Sequence, residues 1–253
     1  MKLDAIVAIV TGAGSGLGRA TAEAFAAAGA RVAVVDMNLA AAEEVATAIG
    51  GRAYAFDVAD AAAAEAAVAR IEADLGAIRV LVNCAGIGVA KRVLGKEGPQ
   101  PLADFEKVIR VNLLGSFNML RLATAAMAKL EPLESNERGV VINTASVAAF
   151  DGQVGQAAYA ASKGGVVSMA LPIARELAQF GIRVNTIAPG LFLTPMMRTL
   201  PDEIQASLAK SVPHPARLGD PAEFAALARS MVENTYLNGE VVRLDGALRL
   251  PPR

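Results

Sequence analysis

The sequence predicts an α/β fold: a single domain in which a doubly wound, seven-stranded parallel sheet carries helices on both faces. Short apolar runs alternate with longer Ala-rich stretches of helical period along the chain, which is the pattern of repeated βαβ units. The length of 253 residues and the hydrophobic content of 54% suffice for one large core. Length alone also fits two domains, but no Ser/Pro-rich linker or internal repeat divides the chain, so we predict one domain over 1–253.

The predicted elements follow from the apolar pattern. Seven apolar runs have strand length, and we predict strands at 5–11, 31–35, 53–56, 80–83, 139–143, 183–187 and 240–244. The longer stretches repeat apolar residues at helical spacing, with turn residues such as Gly29, Gly76 and Gly181 near their ends. We predict helices among them at 17–28, 61–75, 104–129, 159–179 and 221–232. Crossover helices of this kind cover both faces of a parallel sheet.

Two connections, 86–101 and 191–215, are longer and less regular than the others. Ligands bind to such sheets at loops that follow the carboxyl ends of strands. We therefore predict that these two segments form the substrate site. The first is basic, with Lys91, Arg92 and Lys96. The second is apolar and fits a lid, with Leu191, Leu193, Met196, Met197 and Leu200.

The ionisable residues exclude several function classes. The chain has 24 Lys and Arg against 25 Asp and Glu, which gives no strong field to attract nucleic acid. One Cys and one His cannot build a disulfide scaffold or a Cys/His zinc site, so we predict no metal. No apolar run is long enough to span a bilayer, and Asp4 argues against a signal peptide. We expect a cytoplasmic protein that acts on a small molecule and binds neither membrane nor nucleic acid.

A glycine-rich loop, TGAGSGLG at 11–18, directly follows the first predicted strand and opens a helix. Glycines let the backbone turn tightly and approach a pyrophosphate, whose charge then meets the free N–H groups of the helix N-terminus. The loop predicts a dinucleotide site because a strand precedes it and a helix follows. The residues predicted to bind the cofactor here are Gly12, Ser15, Gly16, Leu17 and Gly18.

Asp36 ends the second predicted strand and bears on the choice of cofactor. A carboxylate at this place accepts hydrogen bonds from the adenosine ribose hydroxyls and repels a 2'-phosphate, which favours NAD over NADP. Arg19 would favour NADP, but it lies inside the first turn of the predicted helix. Met37 and Asn38 supply no cation beside Asp36. NADP stays open as the alternative.

Tyr159 and Lys163 lie one turn apart at the start of a predicted helix and project from the same face. Phenol and ammonium both have pKa values of about 10, so neither is a good base near neutrality. An ammonium held beside the phenol favours the phenolate and lowers the pKa of tyrosine. Ser146 follows a predicted strand, and its hydroxyl can bind a substrate oxygen whose charge changes during a reaction. A serine there can equally cap a turn.

These residues and four further motifs resemble the short-chain dehydrogenase/reductase family over nearly the whole chain. The motifs are TGAGSGLG, Asp57-Val58, NCAG at 83–86, Asn112, Ser146, YAASK at 159–163 and PGLFLT at 189–194. The resemblance implies a Rossmann-type fold and hydride transfer between the nicotinamide C4 and a secondary alcohol or ketone. It implies Tyr159 as general acid/base and Lys163 as the residue that lowers its pKa and binds the ribose. Ser146 would orient the substrate oxygen, and Asn112 would hold a water that links Lys163 to solvent.

The same resemblance implies further binding residues. Asp57 and Val58 would flank the adenine, and Phe192 with Thr194 would contact the nicotinamide side. The segment along the cofactor would comprise Asn83, Cys84, Ala85 and Gly86, and Pro189 would join Tyr159 and Lys163 among the cofactor contacts. Cys84 would be a small buried neighbour of the cofactor and not a nucleophile. Gln153 and Gln156 stand near Tyr159, and we predict that Gln156 binds the substrate together with Ser146 and Tyr159.

A narrower resemblance, to the type 2 3-hydroxyacyl-CoA dehydrogenases, lies in the segments INTASVAAFDGQVGQAAYAAS, LPIARELA, TIAPGLF, RLGDPAEFA and NGEVVRLDGALR. It implies NAD-dependent oxidation of a 3-hydroxyacyl-CoA to the 3-oxoacyl-CoA in fatty acid metabolism. The connection at 86–101 is similar to an insertion of that group. Its cations either meet CoA phosphates or form a solvated basic loop, and the usual exposure of Lys and Arg favours the second.

Three other functions stay open at this point. The first is a hydroxysteroid or other secondary-alcohol dehydrogenase, which would use the same catalytic residues with a different lid. The second is an NADPH-dependent 3-oxoacyl-carrier-protein reductase, which Asp36 disfavours. The third is a nucleotide-binding scaffold without turnover, against which the intact Ser146, Tyr159 and Lys163 speak. By resemblance we also expect a homotetramer built through the helices at 104–129 and 159–179 and the final strand.

Overall fold

The computed structural model describes residues 1–96 and 98–252, and the side chain of Met196, one of the predicted lid residues, lies outside the described part. The strands are β1 Val7–Thr11, β2 Arg31–Asp36, β3 Arg52–Ala55, β4 Ile78–Asn83, β5 Leu94–Gly95, β6 Gly98–Pro99, β7 Gly139–Thr144, β8 Ile182–Pro189 and β9 Val241–Leu244. The helices are α1 Gly16–Ala27, α2 Leu39–Ile49, α3 Ala61–Leu75, α4 Leu102–Ile109, α5 Gly115–Met127, α6 Ala157–Leu177, α7 Pro195–Arg198, α8 Asp202–Lys210 and α9 Pro221–Glu233.

Seven of these strands form one sheet in the order β3-β2-β1-β4-β7-β8-β9, with every pair parallel. The predicted doubly wound α/β fold and its seven strands are therefore confirmed. The strand order reverses between β1 and β4, and a crevice opens at such a switch point outside the carboxyl ends of the strands. The loops that follow β1 and β4 lie there, and they carry the glycine-rich segment and the NCAG motif.

Both faces of the sheet are buried, which explains why its strands are almost uninterrupted apolar runs. In β1, Ala8 and Val10 point into a cluster with Phe25 of α1 and Phe224 of α9. The alternate residues of the same strand point into a second cluster on the other face, with side chains of α3 and α5. Each large apolar side chain that is fully buried contributes about 1.5–3 kcal/mol, so the packing of both helix layers stabilises the sheet.

Three segments differ from the sequence predictions. The helix predicted at 104–129 is interrupted by one π-helical turn, Arg110–Leu114, which lies between α4 and α5. The segment 191–215 contains α7 and α8 and is less irregular than predicted. Helix α2 was not among the predicted helices, although Asn38 caps its first turn and Gly50, with a φ of 65°, ends it.

An ion pair fixes the amino end of β8. The Arg183 guanidinium lies 2.7 Å from a carboxylate oxygen of Glu137, and both side chains are buried. Arg183 also donates to the carbonyl oxygens of Met231 and Val232 at 2.7 and 2.8 Å, at the end of α9. A buried charge of this kind is stable only when its donors are satisfied. Arg183 therefore joins β8, α9 and the segment before β7 at the amino ends of the strands, opposite the end that carries the glycine loop.

Among the described helices, none is both long and apolar enough to cross a membrane. The described residues likewise contain no group of three or more His, Cys, Asp or Glu side chains arranged to hold a metal ion.

Candidate active site

A cavity of about 710 Å³ extends along the carboxyl ends of the parallel strands. Most of the predicted site residues line it, and these are Gly12, Ser15, Gly16, Leu17, Gly18, Asp36, Val58, Cys84, Ala85, Gly86, Ser146, Gln156, Tyr159, Lys163, Pro189, Phe192 and Thr194. Another depression, of about 760 Å³, lies between α8 and α9 and is lined by none of the predicted catalytic residues. The predicted site residues therefore belong to the cavity at the carboxyl ends of the strands.

The glycine loop is shaped so that side chains are excluded from its bend. Gly12 has a φ of 63°, and a Cβ there would lie 2.8 Å from the backbone nitrogen of Ala85. A Cβ at Gly18 would overlap the carbonyl oxygen of Gly12. Ser15 precedes α1 without capping it through its side chain, and the first turn of α1 has no acidic residue. The N–H groups of that turn are therefore left for an anionic ligand, and the loop fits a dinucleotide pyrophosphate.

The Asp36 carboxylate closes one end of the cavity. Its Oδ2 accepts a hydrogen bond from the Gly14 N–H at 3.0 Å, and its Oδ1 accepts one from the Asn38 N–H at 3.0 Å. Arg19 does not line the cavity, because its guanidinium pairs with Glu23 at 2.9 Å and Glu44 at 2.8 Å. A carboxylate thus faces the cofactor space, and the arginine that would suit a 2'-phosphate is engaged by two acidic residues.

Helix α6 presents Tyr159 and Lys163 to the cavity from its first turns. The Lys163 Nζ donates to the carbonyl oxygen of Thr144 at 2.7 Å and lies 5.8 Å from the centre of the Tyr159 ring. Ser146 follows β7 and lines the cavity with Tyr159, and its hydroxyl lies close enough to act on the pKa of the Tyr159 phenol. The Ser146 Oγ also accepts from the Ala148 N–H at 3.1 Å, so the same serine caps a short 3₁₀ turn.

Burial is the main influence on the pKa values of Tyr159 and Lys163 when no ligand is bound. It raises the pKa of Tyr159, and the nearby Ser146 hydroxyl acts in the opposite direction. Burial also lowers the pKa of Lys163 to about 8. The Thr144 carbonyl oxygen accepts a hydrogen bond from the Lys163 Nζ and holds it in place. The pair therefore brings a protonated phenol and a titratable ammonium to the same wall of the cavity.

Cys84 lies between these groups and the glycine loop. Its Sγ accepts a hydrogen bond from the Thr144 hydroxyl at 3.5 Å. Burial raises the pKa of the Cys84 thiol to about 11, and the nearby Lys163 only partly offsets this. The thiol is therefore protonated at neutral pH and is not a nucleophile.

Three predicted site residues lie beside the cavity without lining it. The Asn83 Nδ2 donates to the carbonyl oxygen of Ser116 and to the Asn143 side chain, so this amide joins β4 to α5 and β7. The Asp57 Oδ1 accepts from the Ala59 N–H at 2.9 Å and shapes the turn before Val58. Asn112 lies in the π-helical turn and is fully buried.

The substrate half of the cavity has a mixed lining. Leu191 and Met197 line it from the segment after β8, and Gln153 and Gln156 line it from the segment before α6. The Gln156 Oε1 accepts from the Gln153 N–H at 3.1 Å, so the two amides are coupled. Phe192 lines the cavity and packs edge-to-face on Phe224, with ring centres 6.5 Å apart. The lining of the substrate half is thus polar near Tyr159 and apolar at the segment after β8.

The basic segment between β4 and α4 carries a small antiparallel hairpin, β5 with β6. Lys91 at its base pairs with Asp104 at 2.6 Å, and its N–H donates to the Gly155 carbonyl at 2.8 Å. Arg92 and Lys96 are exposed. The three predicted cations therefore divide into one that anchors the segment and two that face solvent.

Sequence reasoning missed several contributors to this cavity, and two of them show why. The Thr144 carbonyl holds Lys163, and a backbone acceptor leaves no residue-type signal in a sequence. Leu250 lines the cavity from a segment far along the chain, and only the strand order brings it there.

A glycine loop built for a pyrophosphate, beside a phenol held between a serine and a lysine, defines an oxidoreductase with a dinucleotide cofactor. The chain belongs to the short-chain dehydrogenase family, whose model, described as short chain dehydrogenase, matches residues 6–205. Membership in this family assigns a nicotinamide cofactor to the cavity.

Within the family, the chain is about half identical, over nearly its full length, to several proteins that share one name. It is 52% identical over 256 residues to 3-hydroxyacyl-CoA dehydrogenase type-2 of Bos taurus, which covers 99% of this chain and 98% of the relative. The Homo sapiens protein of that name is 50% identical over 255 residues, with 99% and 98% covered. The crystal structure of 3-hydroxyacyl-CoA dehydrogenase type-2 from Mycobacterium avium has a TM-score of 0.93 at 42% identity, with 98% of each chain covered. The narrower resemblance is confirmed.

Proposed function

We propose that the protein oxidises a 3-hydroxyacyl-CoA to the 3-oxoacyl-CoA with NAD. The observation that carries the reaction class is the Ser146 and Tyr159 hydroxyl pair on the wall of a dinucleotide cavity. The substrate class is supported by the relatives at 52% and 50% identity, whose names specify it. The predicted roles of the site residues are part of this proposal.

The residues of the chain divide the work as follows. Ser146 donates a hydrogen bond to the substrate hydroxyl oxygen and holds it beside the Tyr159 Oη. The Tyr159 phenolate accepts the hydroxyl proton as the substrate carbon becomes a carbonyl carbon. Lys163, held by the Thr144 carbonyl, keeps positive charge near the phenol and favours its ionised form. When bound, the nicotinamide ring supplies the acceptor for the hydride.

The choice of NAD over NADP rests on Asp36. Its carboxylate lines the cavity at the end of β2, where a ribose hydroxyl can donate to it and a 2'-phosphate would be repelled. Arg19 is paired with Glu23 and Glu44, so it offers no free charge to such a phosphate.

The acyl-CoA has two supporting features. The apolar Leu191 and Met197 line the substrate half of the cavity and suit an acyl chain. Arg92 and Lys96 are exposed on the basic segment and can meet phosphates of the CoA.

The test is steady-state kinetics with two cofactors and two substrate classes. We expect kcat/KM for 3-hydroxybutyryl-CoA with NAD to exceed both the value with NADP and the value for simple secondary alcohols with NAD. Similar values for 3-hydroxybutyryl-CoA and 2-butanol would contradict the substrate class. A preference for NADP would contradict the cofactor alone.

We also infer a homotetramer. Leu114 and Phe117 are 54% and 48% exposed at the π turn and α5, and Leu171 of α6 is 45% exposed. Apolar side chains clustered on helix faces mark surfaces that a second copy can cover. Light scattering should give about four times the mass of the chain, 26.0 kDa, and the mass of one chain would contradict the inference.

The predicted cytoplasmic location belongs to the same proposal. The free thiol of Cys84 supports it, since cysteines stay reduced in that compartment. Cell fractionation with an antibody against the protein tests it, and recovery from a secreted or membrane fraction would contradict it.

A further inference from the structure

The segment that follows β9 turns back across the molecule and ends beside the cavity. Leu248 is 1% exposed, and Leu250 is one of the residues that line the cavity. The segment therefore contributes an apolar side chain to a site whose other lining residues come mainly from the strand ends, the loops that follow them and the helices α1 and α6.

Hydrogen bonds hold this segment on both sides of Leu250. The Leu248 carbonyl accepts from the Arg243 side chain of β9 at 2.9 Å. The Pro251 carbonyl accepts from the Gln153 side chain at 3.0 Å, and the Pro252 carbonyl accepts from the Val154 N–H at 3.1 Å, so the segment lies against the residues between Ser146 and α6. Because the residues before and after Leu250 are bound, they set the position of its side chain.

Asp151 is the centre of this arrangement. Its carboxylate lies 2.6 Å from the Arg243 guanidinium, and the two side chains are only 17% and 20% exposed. The Arg243 guanidinium also pairs with Asp245 at 2.7 Å and lies 5.1 Å from the centre of the Phe150 ring. Asp151 therefore fixes the arginine that holds the Leu248 carbonyl, two residues before Leu250.

We propose that Leu250 is a specificity residue that limits the length of the acyl chain, and that Asp151 is a positioning residue that holds it through Arg243. Leu250 shares the cavity with Gln153 and Gln156, the polar residues on the same side as Tyr159. A side chain at that place meets the part of a substrate beyond its reacting carbon. The proposal rests on the proposed function in one respect, that the substrate carries an acyl chain.

The experiment measures kcat/KM with NAD for a series of 3-hydroxyacyl-CoA substrates of four, six, eight and ten carbons. Truncation of one apolar wall by a few carbon atoms changes discrimination by about tenfold or more. We expect Leu250→Ala to raise the eight-carbon to four-carbon ratio by about tenfold and Leu250→Phe to lower it. Leu133→Ala makes the same truncation at a residue that is outside the cavity, and its ratio should equal that of the wild type.

The positioning role is tested by Asp151→Ala and by the double variant with Leu250→Ala. We expect Asp151→Ala to shift the chain-length ratio in the same direction as Leu250→Ala, with the KM for NAD unchanged. Asp151→Asn keeps an oxygen that can accept from the Arg243 guanidinium, so its shift should be smaller. The double variant should add little to either single change, because both act on one wall. Fully additive shifts would overturn the positioning role.

The results separate this inference from the proposed function. Absence of turnover by the wild type on every 3-hydroxyacyl-CoA would contradict the proposed function, and the variants would then be compared on 2-alkanols of four to ten carbons. If Leu250→Ala and Leu133→Ala have the same eight-carbon to four-carbon ratio in either series, Leu250 does not limit the chain length and the proposal is overturned. If Asp151→Ala fails to fold in a thermal unfolding assay, the two Leu250 variants still decide the question, since they leave the ion pair in place.

Discussion

The Asn112 side chain binds both backbone groups of Ile87. Its Oδ1 accepts from the Ile87 N–H at 2.8 Å, and its Nδ2 donates to the Ile87 carbonyl oxygen at 2.9 Å. The same Nδ2 donates to the Ser162 Oγ at 3.0 Å. Asn112 thus joins the π-helical turn to the segment after β4 and to α6, next to Lys163. The wall that holds the catalytic pair depends on one buried amide.

We expect Asn112→Ala to lower kcat by about tenfold or more and to reduce the free energy of unfolding by about 2–4 kcal/mol. The variant leaves the part-buried N–H and carbonyl of Ile87 and the buried Ser162 hydroxyl without this partner, and an unsatisfied buried group costs about 1–3 kcal/mol. Kinetics and urea unfolding measure the two effects. Asn185→Ala is the matched control, since Asn185 is also fully buried but bonds to Leu237 and lies outside the cavity. Equal loss of kcat in both variants would contradict the specific role.

Tyr159→Phe should abolish oxidation while NAD binding stays nearly unchanged. The variant removes only the hydroxyl beside Ser146, and the ring keeps its place. Single-turnover rates and titration of NAD by calorimetry measure this. Tyr54→Phe removes the hydroxyl of another, buried tyrosine, which donates to Asp74 at 3.0 Å outside the cavity, and it should retain activity. Substantial activity in Tyr159→Phe would exclude the phenol as general base.

Asp36→Ala should reduce kcat/KM for NAD by about tenfold or more and increase it for NADP. The variant removes a charged acceptor whose hydrogen bonds contribute about 1.5–3 kcal/mol each, and with it the repulsion of a 2'-phosphate. Steady-state kinetics with both cofactors decide the outcome. Glu43→Ala removes an exposed carboxylate of α2 that lies outside the cavity, so it should leave the cofactor ratio as it is.

Gly18→Ala should prevent cofactor binding or unfold the first βα unit. Its Cβ would overlap the carbonyl oxygen of Gly12, and neither backbone segment can move aside without opening the loop. Gly164→Ala is the control, because nothing lies within 4 Å of a Cβ there and the residue is inside α6. That change should stabilise the helix by about 1 kcal/mol. Fluorescence titration with NAD and thermal unfolding distinguish the two variants, and normal NAD affinity in Gly18→Ala would be inconsistent with the described loop.

The stability of the protein should depend on Lys163 between pH 8 and pH 9. Burial lowers the pKa of Lys163 from 10.5 to about 8, so the unfolded chain binds the proton more tightly over this range. The free energy of unfolding therefore rises with pH, by about 1 kcal/mol between pH 8 and 9. Lys163→Met should lack this increase. The Cys84 thiol, with its pKa raised from 9.0 to about 11, acts in the opposite direction as the pH approaches 9, and the comparison with Lys163→Met isolates the effect of the lysine. Urea unfolding at pH 8 and pH 9 measures the free energy of unfolding of both proteins. The same change with pH in the wild type and in Lys163→Met would contradict the prediction.

The strands and the glycine loop could be predicted because their signals are local. Val7, Ala8, Ile9 and Val10 are all buried between two helix layers, so the run is apolar at every position. Gly12 and Gly18 are fixed by contacts within one loop and its neighbour. Tyr159 and Lys163 lie on one helix, and their spacing alone places them together.

Other features could not be predicted because they depend on long-range contacts. Nothing near Asn112 in the sequence indicates a π-helical turn or the bonds to Ile87. Leu250 reaches the cavity only because Asp151 and Gln153 hold its segment across nearly a hundred residues of chain. The net rise in the pKa of Tyr159 reflects burial, which a residue pair in a sequence does not report.

The Arg183 and Glu137 ion pair has a consequence for how this protein can diversify. It secures β8 and α9 at the amino edge of the sheet, while every residue proposed to touch the substrate lies at the carboxyl edge. The contacts that stabilise this part of the fold are therefore separate from the residues proposed to bind the substrate. Libraries directed at Leu191, Met197 and Leu250 can alter substrate choice while the folding determinants around Arg183 stay intact. Substitutions that accept new alcohols can therefore arise with little loss of stability.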